Sequence, residues 1–236
     1  MNKVNICSVE IDNISFDELM REICDAVEKR KNIYVVSPNV DHIMRLQKYE
    51  DFRRVYKEAY LVLADGMPLI WASKLLGTPL KEKISGSDLV PEVCRVAAEK
   101  GYKLFFLGGR PGAACAAKEN MGKKYPSIKI AGVYSPPFGF EKDESEKTKI
   151  KDMIKRSGAD ILFVGLGAPK QEKWINANYK ELNVPFSMGI GVTFEFMAGM
   201  VRRAPKFMQK AGLEWLWRLG MEPLRLWKRY LIYDPK

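Results

Sequence analysis

The chain has 236 residues, one histidine, four cysteines and a formal net charge of +10, with 47% hydrophobic and 29% charged residues. That is a globular composition of one-domain size, neither disordered nor fibrous. One histidine excludes His-cluster zinc sites and HExxH, and Cys7, Cys24, Cys94 and Cys115 form no CxxC, so zinc ribbons and thioredoxin-type redox motifs are excluded too.

In chain order, the N-terminal MNKVNICSVEIDN lacks the apolar run of a secretory signal. A helical pattern follows over Asp17–Arg30. NIYVVS (32–37) reads as a strand leading through Pro38-Asn39 into a helix from Val40, and AYLVLAD (59–65) as a strand ending at Asp65-Gly66. A helix is expected over Leu89–Lys100, then a strand at 102–109 ending in Gly108-Gly109 with Pro111 opening the next helix. IKIAGVYS (128–135), ADILFVGLG (159–167) and VPFSMGIG (184–191) are further strands, and the charged stretch Glu141–Lys149 is a solvated loop or helix start. Apolar runs with little alternation fit strands buried on both faces. The expected fold is therefore α/β, a mostly parallel Rossmann-like sheet flanked by helices.

Residues 201–236 differ in kind. Nine bases against three acids give +6, and three of the five tryptophans (Trp215, Trp217 and Trp227) fall there. A boundary near residue 200 is expected, dividing an α/β catalytic unit (1–199) from a basic, aromatic helical appendage (200–236). If Gly212–Tyr233 is helical, Leu213, Leu216, Trp217, Gly220, Leu224, Trp227 and Leu231 form one stripe. Arg218, Arg225 and Arg229 then fall within about 40° of each other, unless Pro223 starts a second helix. Such a segment can lie at an anionic membrane surface, dock on the core, or bind a nucleic-acid strand. No apolar run reaches the roughly 20 residues of a membrane span. The dispersed cysteines and the missing signal run give the cytoplasm as the expected place. An uncovered apolar stripe would favour self-association.

In open α/β sheets, ligands bind beyond the carboxyl ends of the strands. Two glycine turns lie there. Gly108-Gly109-Arg110-Pro111-Gly112 and Gly165-Leu166-Gly167-Ala168-Pro169-Lys170-Gln171 are tight turns or diphosphate cradles. The second fails GxGxxG at Lys170, and neither is a Walker loop, so no dinucleotide or ATPase cofactor motif is present. A nicotinamide oxidoreductase remains the competing enzyme class, and a basic nucleic-acid module, lacking the usual binding signatures, the non-enzyme one. Asp65 is a candidate general base or a turn residue. Ser37 and Asn39 can bond a sugar or phosphate, although Asn39 can equally cap a helix, and a lone His42 reads as structural. No DxD occurs, so no carboxylate-pair metal site is indicated.

The blocks SPNVDHI, LADGMPLIW, ISGSDL, FFLGGRPG, VGLGAPKQEKWI and GVTFEFMAGMVRRAPKFMQKAGLEWLWRL…EPLRLWKRYL occur in order from about residue 33 to the end. They resemble the WecG/TagA/CpsF bacterial glycosyltransferases, glycosyltransferase family 26, and most closely the subgroup that builds the wall teichoic acid linkage unit. The resemblance implies metal-free, inverting transfer of N-acetylmannosamine from UDP to the 4-hydroxyl of GlcNAc on undecaprenyl diphosphate. Another UDP-sugar, such as the uronic acid of ManNAc, is the alternative donor. It further implies that Asp65, with Gly66 beside it, supplies the base, that Ser37 and Asn39 match the hydroxyl residue and asparagine opening the family's first block, and that Gln171 lies near the donor; the turns of glycines 108, 109, 165 and 167 are read as holding the UDP-sugar with it. Arg218 and Arg225 would meet the diphosphate. Where many relatives carry Arg, this chain has Lys83, which cannot make a bidentate phosphate contact.

Overall fold

The computed structural model describes residues 2–221 and 223. The chain opens on an antiparallel hairpin, β1 (Lys3–Ile6) and β2 (Val9–Asp12). Its two-residue turn places Cys7 and Ser8 at φ 48° and 61°, the positive values that match the strand twist. Sequence reading did not foresee this hairpin, because neither turn residue is the glycine or asparagine that normally marks one.

α1 (Phe16–Glu28) follows, started by a capping box in which Ser15 and Glu18 bond each other's backbone N–H. Then come β3 (Ile33–Val36), α2 (Val40–Lys48), α3 (Glu50–Lys57), β4 (Leu61–Val62), α4 (Met67–Leu75) and α5 (Gly86–Lys100). α5 begins before Leu89 because the Ser85 side chain caps it. β5 (Lys103–Gly108), α6 (Ala113–Lys124), β6 (Lys129–Tyr134), a 3-10 turn at Phe140–Lys142 and α7 (Glu144–Ser157) come next. β7 (Ile161–Gly165), α8 (Lys170–Leu182), β8 (Phe186–Gly189) and α9 (Thr193–Met197) complete the sheet region.

The six strands β3–β8 form one sheet in the order β4-β3-β8-β7-β5-β6, and every pairing in it is parallel. All six carboxyl ends therefore lie along one edge. Alternate residues feed two separate cores. Val35, Phe106, Phe163 and Met188 pack with Leu19 of α1, Val93 of α5 and Ala117 of α6. Tyr34, Val36, Leu107 and Val164 pack with Leu46 of α2, Phe52 of α3, Ile154 of α7 and Ile175 of α8. Burial on both faces is why these strands read as unbroken apolar runs.

The helices leaving neighbouring strands consequently part to opposite faces. α8, after β7, lies on the second face, whereas Phe194 of α9, after β8, joins the first core. Such a parting leaves a crevice at the carboxyl edge.

Past Gly199 the chain turns back over this edge. α10 (Lys206–Lys210) and α11 (Glu214–Met221) are short, and Gly212 between them sits against Trp71 of α4, where a Cβ would come within 2.6 Å of the ring. Only the first part of the expected helix over 212–233 is described. Arg225 and Arg229 lie outside the described residues. No helix among those residues is long and apolar enough to cross a membrane.

Candidate active site

Asp65 emerges where β4 meets the edge. Leu63 N–H donates to the Val36 carbonyl at 2.8 Å and Asp65 N–H to the Pro38 carbonyl at 3.0 Å, so the ladder between these two chains continues past the strand itself. Gly66 takes φ 119°, turning the chain into α4, with Pro68 in the helix's first turn. Gly66 is the N-cap residue, so Asp65 is freed from the capping role that an Asp-Gly pair commonly serves. The residue is half-buried. Burial pushes its carboxyl from 3.8 up to about 7; Lys83 pulls it down, Glu214 and Asp88 push it up, and Arg218 pulls it down.

These neighbours form a network. Lys83 Nζ lies 3.1 Å from Asp88 Oδ2, and Arg203 Nη1 lies 2.7 Å from Asp88 Oδ1. Ser85 Oγ donates to Asp88 Oδ2 at 2.6 Å, and Arg203 Nε donates to Glu214 Oε1 at 3.2 Å. Burial works to raise the Asp88 carboxyl, but its bonds to Arg203 and Ser85 outweigh that and hold it at about 2. Arg203 thus ties the returning chain to the start of α5 and brings α11, with Arg218, within electrostatic reach of Asp65.

Asp88, Arg203 and Glu214 had no role assigned from sequence. Ser85-x-x-Asp88 is a visible capping pattern, but nothing local signals a partner at residue 203.

The glycine loops meet, and they do so mainly with each other. A Cβ on Gly108 (φ 98°) would lie 2.6 Å from the Gly165 carbonyl oxygen, and Gly109 N–H donates to that same oxygen at 2.8 Å. Gly167 N–H donates to Gln171 Oε1 at 3.2 Å. These glycines allow close packing of the loops after β5 and β7, and two of the N–H groups expected at a phosphate already have acceptors inside the protein. Gln171 is buried.

At the end of β3, Ser37 is half-buried, and Asn39 caps α2 by accepting from His42 N–H at 3.2 Å. His42 is a core residue. Its Nδ1 lies 2.5 Å from the Tyr56 hydroxyl, and its ring meets Phe52 edge-on. Asp41 accepts from Arg45 Nε at 3.0 Å. Buried Glu172 lies close enough to Arg45, Asp41 and Tyr56 to act on them electrostatically.

Beside the network lies an apolar surface. Leu75 and Phe207 are 91% and 71% exposed, and Trp71, Leu76, Trp215 and Leu216 are also exposed, on α4 and its C-cap, α10 and α11. By contrast, a hollow of about 350 Å³ beside α1, lined by Asn13, Glu18, Arg21 and Lys81 among others, shares no residue with this network.

The model of the glycosyl transferase WecG/TagA/CpsF family matches residues 4–236. The chain belongs to this family. It is 30% identical over 229 residues to the N-acetylglucosaminyldiphosphoundecaprenol N-acetyl-beta-D-mannosaminyltransferase of Staphylococcus aureus strain MW2, covering 96% of this chain and 86% of that one. It is 32% identical over 205 residues to the enzyme of the same name from Bacillus spizizenii, covering 87% and 77%. The edge just described is thus the edge of a glycosyltransferase. The oxidoreductase and nucleic-acid readings fall away.

Proposed function

We propose that this chain transfers N-acetylmannosamine from UDP-ManNAc to the 4-hydroxyl of GlcNAc-diphospho-undecaprenol, with inversion, at the inner face of the membrane, for wall teichoic acid linkage-unit synthesis. The names of its relatives support the sugar and the acceptor. The observation that carries the mechanism is a half-buried carboxyl, Asp65, titrating at about 7 with Lys83 and Arg218 near it.

A base with that titration point is half ionised at neutral pH and strong enough to take a hydroxyl proton in the transition state. In this reading Asp65 accepts the proton of the acceptor 4-hydroxyl as that oxygen bonds to the anomeric carbon. The bond from the anomeric carbon to the diphosphate oxygen breaks on the opposite face, and UDP leaves with the electron pair. Arg218, with Arg225 further along, and Lys83 meet the growing charge of the diphosphate in place of a metal. Gly66 frees Asp65 to project, and Ser37 and Asn39 border the acceptor and donor sugars. The loops that carry Gly108, Gly109, Gly165 and Gly167, tied by Gln171, shape the donor crevice. Because its N–H groups at 109 and 167 are committed, that crevice acts by shape more than as a backbone phosphate cradle.

The returning chain supplies the membrane contact. Exposed Leu75, Phe207, Trp215 and Leu216 suit an apolar boundary, and the +6 of residues 201–236 suits anionic headgroups. Residues 200–236 act here as an appendage completing the 1–199 unit.

The test is a panel of UDP-sugars against a synthetic lipid-linked GlcNAc. UDP-ManNAc should be turned over at least about tenfold more efficiently than the other donors. Preference for its uronic acid would overturn the donor, and no transfer to lipid-linked GlcNAc would overturn the acceptor.

A further inference from the structure

Gln171 and Glu172 stand at the parting between β7 and β8, and their hydrogen bonds form a closed set. One oxygen, Gln171 Oε1, accepts both Gly167 N–H (3.2 Å) from the loop after β7 and Gly191 N–H (3.1 Å) from the loop after β8. The amide nitrogen of the same side chain donates to Glu172 Oε1 at 2.7 Å. The two backbone donors require oxygen on one side of the amide, and the carboxyl requires nitrogen on the other. Glu172 and the two backbone donors together fix which way the amide faces.

Two further observations single the pair out. Glu172 is 3% exposed, and its Oε2 has no hydrogen-bond partner among the described residues. A buried carboxyl is costly unless something requires it; burial is the largest influence on this one and pushes it up to about 7. Gly189 makes the room. A Cβ there would lie 2.7 Å from Gln171 Nε2 and 2.9 Å from its Cδ. Gly189 has none of the positive φ that elsewhere explains a glycine, so its missing side chain is accounted for by the space Gln171 occupies.

We propose that Glu172 is a positioning residue for the donor site: it orients the Gln171 amide, which staples the loops after β7 and β8 together and holds the donor crevice in its binding shape. Gln171 then acts chiefly through the backbone it ties. This rests on the reading that a UDP-sugar occupies that crevice.

The full-length protein provides the test. In the wild-type chain the Gly167 and Gly191 amides should exchange with solvent at least about 100-fold slower than unprotected amides; free exchange at either position overturns the staple whatever any variant does. E172L should raise the donor KM about tenfold while kcat falls no more than about twofold, since it acts on binding shape and not on the base. E172Q keeps an acceptor oxygen at Oε1 and should recover most of that loss. G189A, which displaces Gln171 without touching Glu172, should reproduce the E172L effect on KM and speed exchange at both amides. An E172Q as impaired as E172L, or an E172L with wild-type donor KM, overturns the role. Calorimetric titration of the wild-type protein with UDP separates the two ideas. Absence of UDP binding overturns the donor reading, whereas UDP binding with unchanged KM in E172L and G189A overturns only the staple.

Discussion

Replacing Asp65 by asparagine should stabilise the protein at the same time as it stops the reaction. The carboxyl titrates at about 7 in the fold against an ordinary 3.8. A raised folded value means the native state holds this proton more tightly than the unfolded chain. Stability from this group is thus complete below pH 3.8 and is lost as pH rises through 7. At 1.36 kcal/mol per pH unit the full penalty is about 4 kcal/mol. Asp65 keeps some contact with water, and screening reduces the penalty to about 2 kcal/mol.

Asparagine has nearly the same shape and no charge to lose. For a chain of this length, 2 kcal/mol corresponds to about 4–8 °C in Tm. Thermal melts of both proteins from pH 4 to pH 8 should show D65N melting higher by about that amount at pH 8, with the gap closing towards pH 4. Transfer should fall by at least about 100-fold. A D65N that is no more stable at pH 8, or whose advantage is the same at both ends, would mean that Asp65 carries no burial penalty.

Arg218 and Lys83 both lower the Asp65 titration point, so R218A and K83A should each move the acid limb of the kcat/KM profile to higher pH; a profile that stays put contradicts their placement. R203L strips Asp88 of one partner and cuts the tie to Glu214, and should cost about 2 kcal/mol in urea melts, with loss of transfer; a variant within about 0.5 kcal/mol of wild type would show that the tie is idle. L75D and F207D change exposed side chains and should leave Tm within about 2 °C while weakening sedimentation with anionic vesicles; unaltered vesicle binding would remove α4 and α10 from the membrane face. Ending the chain at Gly199 should leave a folded α/β core by circular dichroism and no transfer, and full activity in that truncation would sink the appendage's role.

The sheet was legible because strands buried on both faces must be apolar at every position, as in Ile33–Val36 and Ile161–Gly165. Their order was not legible. β3 lies between β4 and β8, and nothing in the local pattern of any strand specifies a partner 153 residues away, as Ile33 and Phe186 are. The glycines were legible as turns. That Gly108 and Gly165 press against each other, 57 residues apart, follows only from β5 pairing with β7.

Asp65 stood out as a carboxylate following an apolar strand, but its raised titration point comes first from burial, with Glu214 and Asp88 adding to it and Lys83 and Arg218 opposing it, and none of those four lies beside it in sequence. Asn39 caps α2 and His42 packs in the core, ordinary uses of those residue types. Glu172 gave no signal, since a glutamate in the first turn of a helix is commonplace there.

In the proposed reaction one carboxylate drives a single displacement of UDP by the 4-hydroxyl of a lipid-linked GlcNAc. The most direct measurement is the linkage and anomeric configuration of the product, determined by NMR after reaction of the wild-type protein with UDP-ManNAc and the synthetic acceptor. The expected product has the sugar joined to oxygen 4 with configuration inverted from that of the donor. A product of retained configuration, or one joined at another hydroxyl, would contradict the proposed reaction.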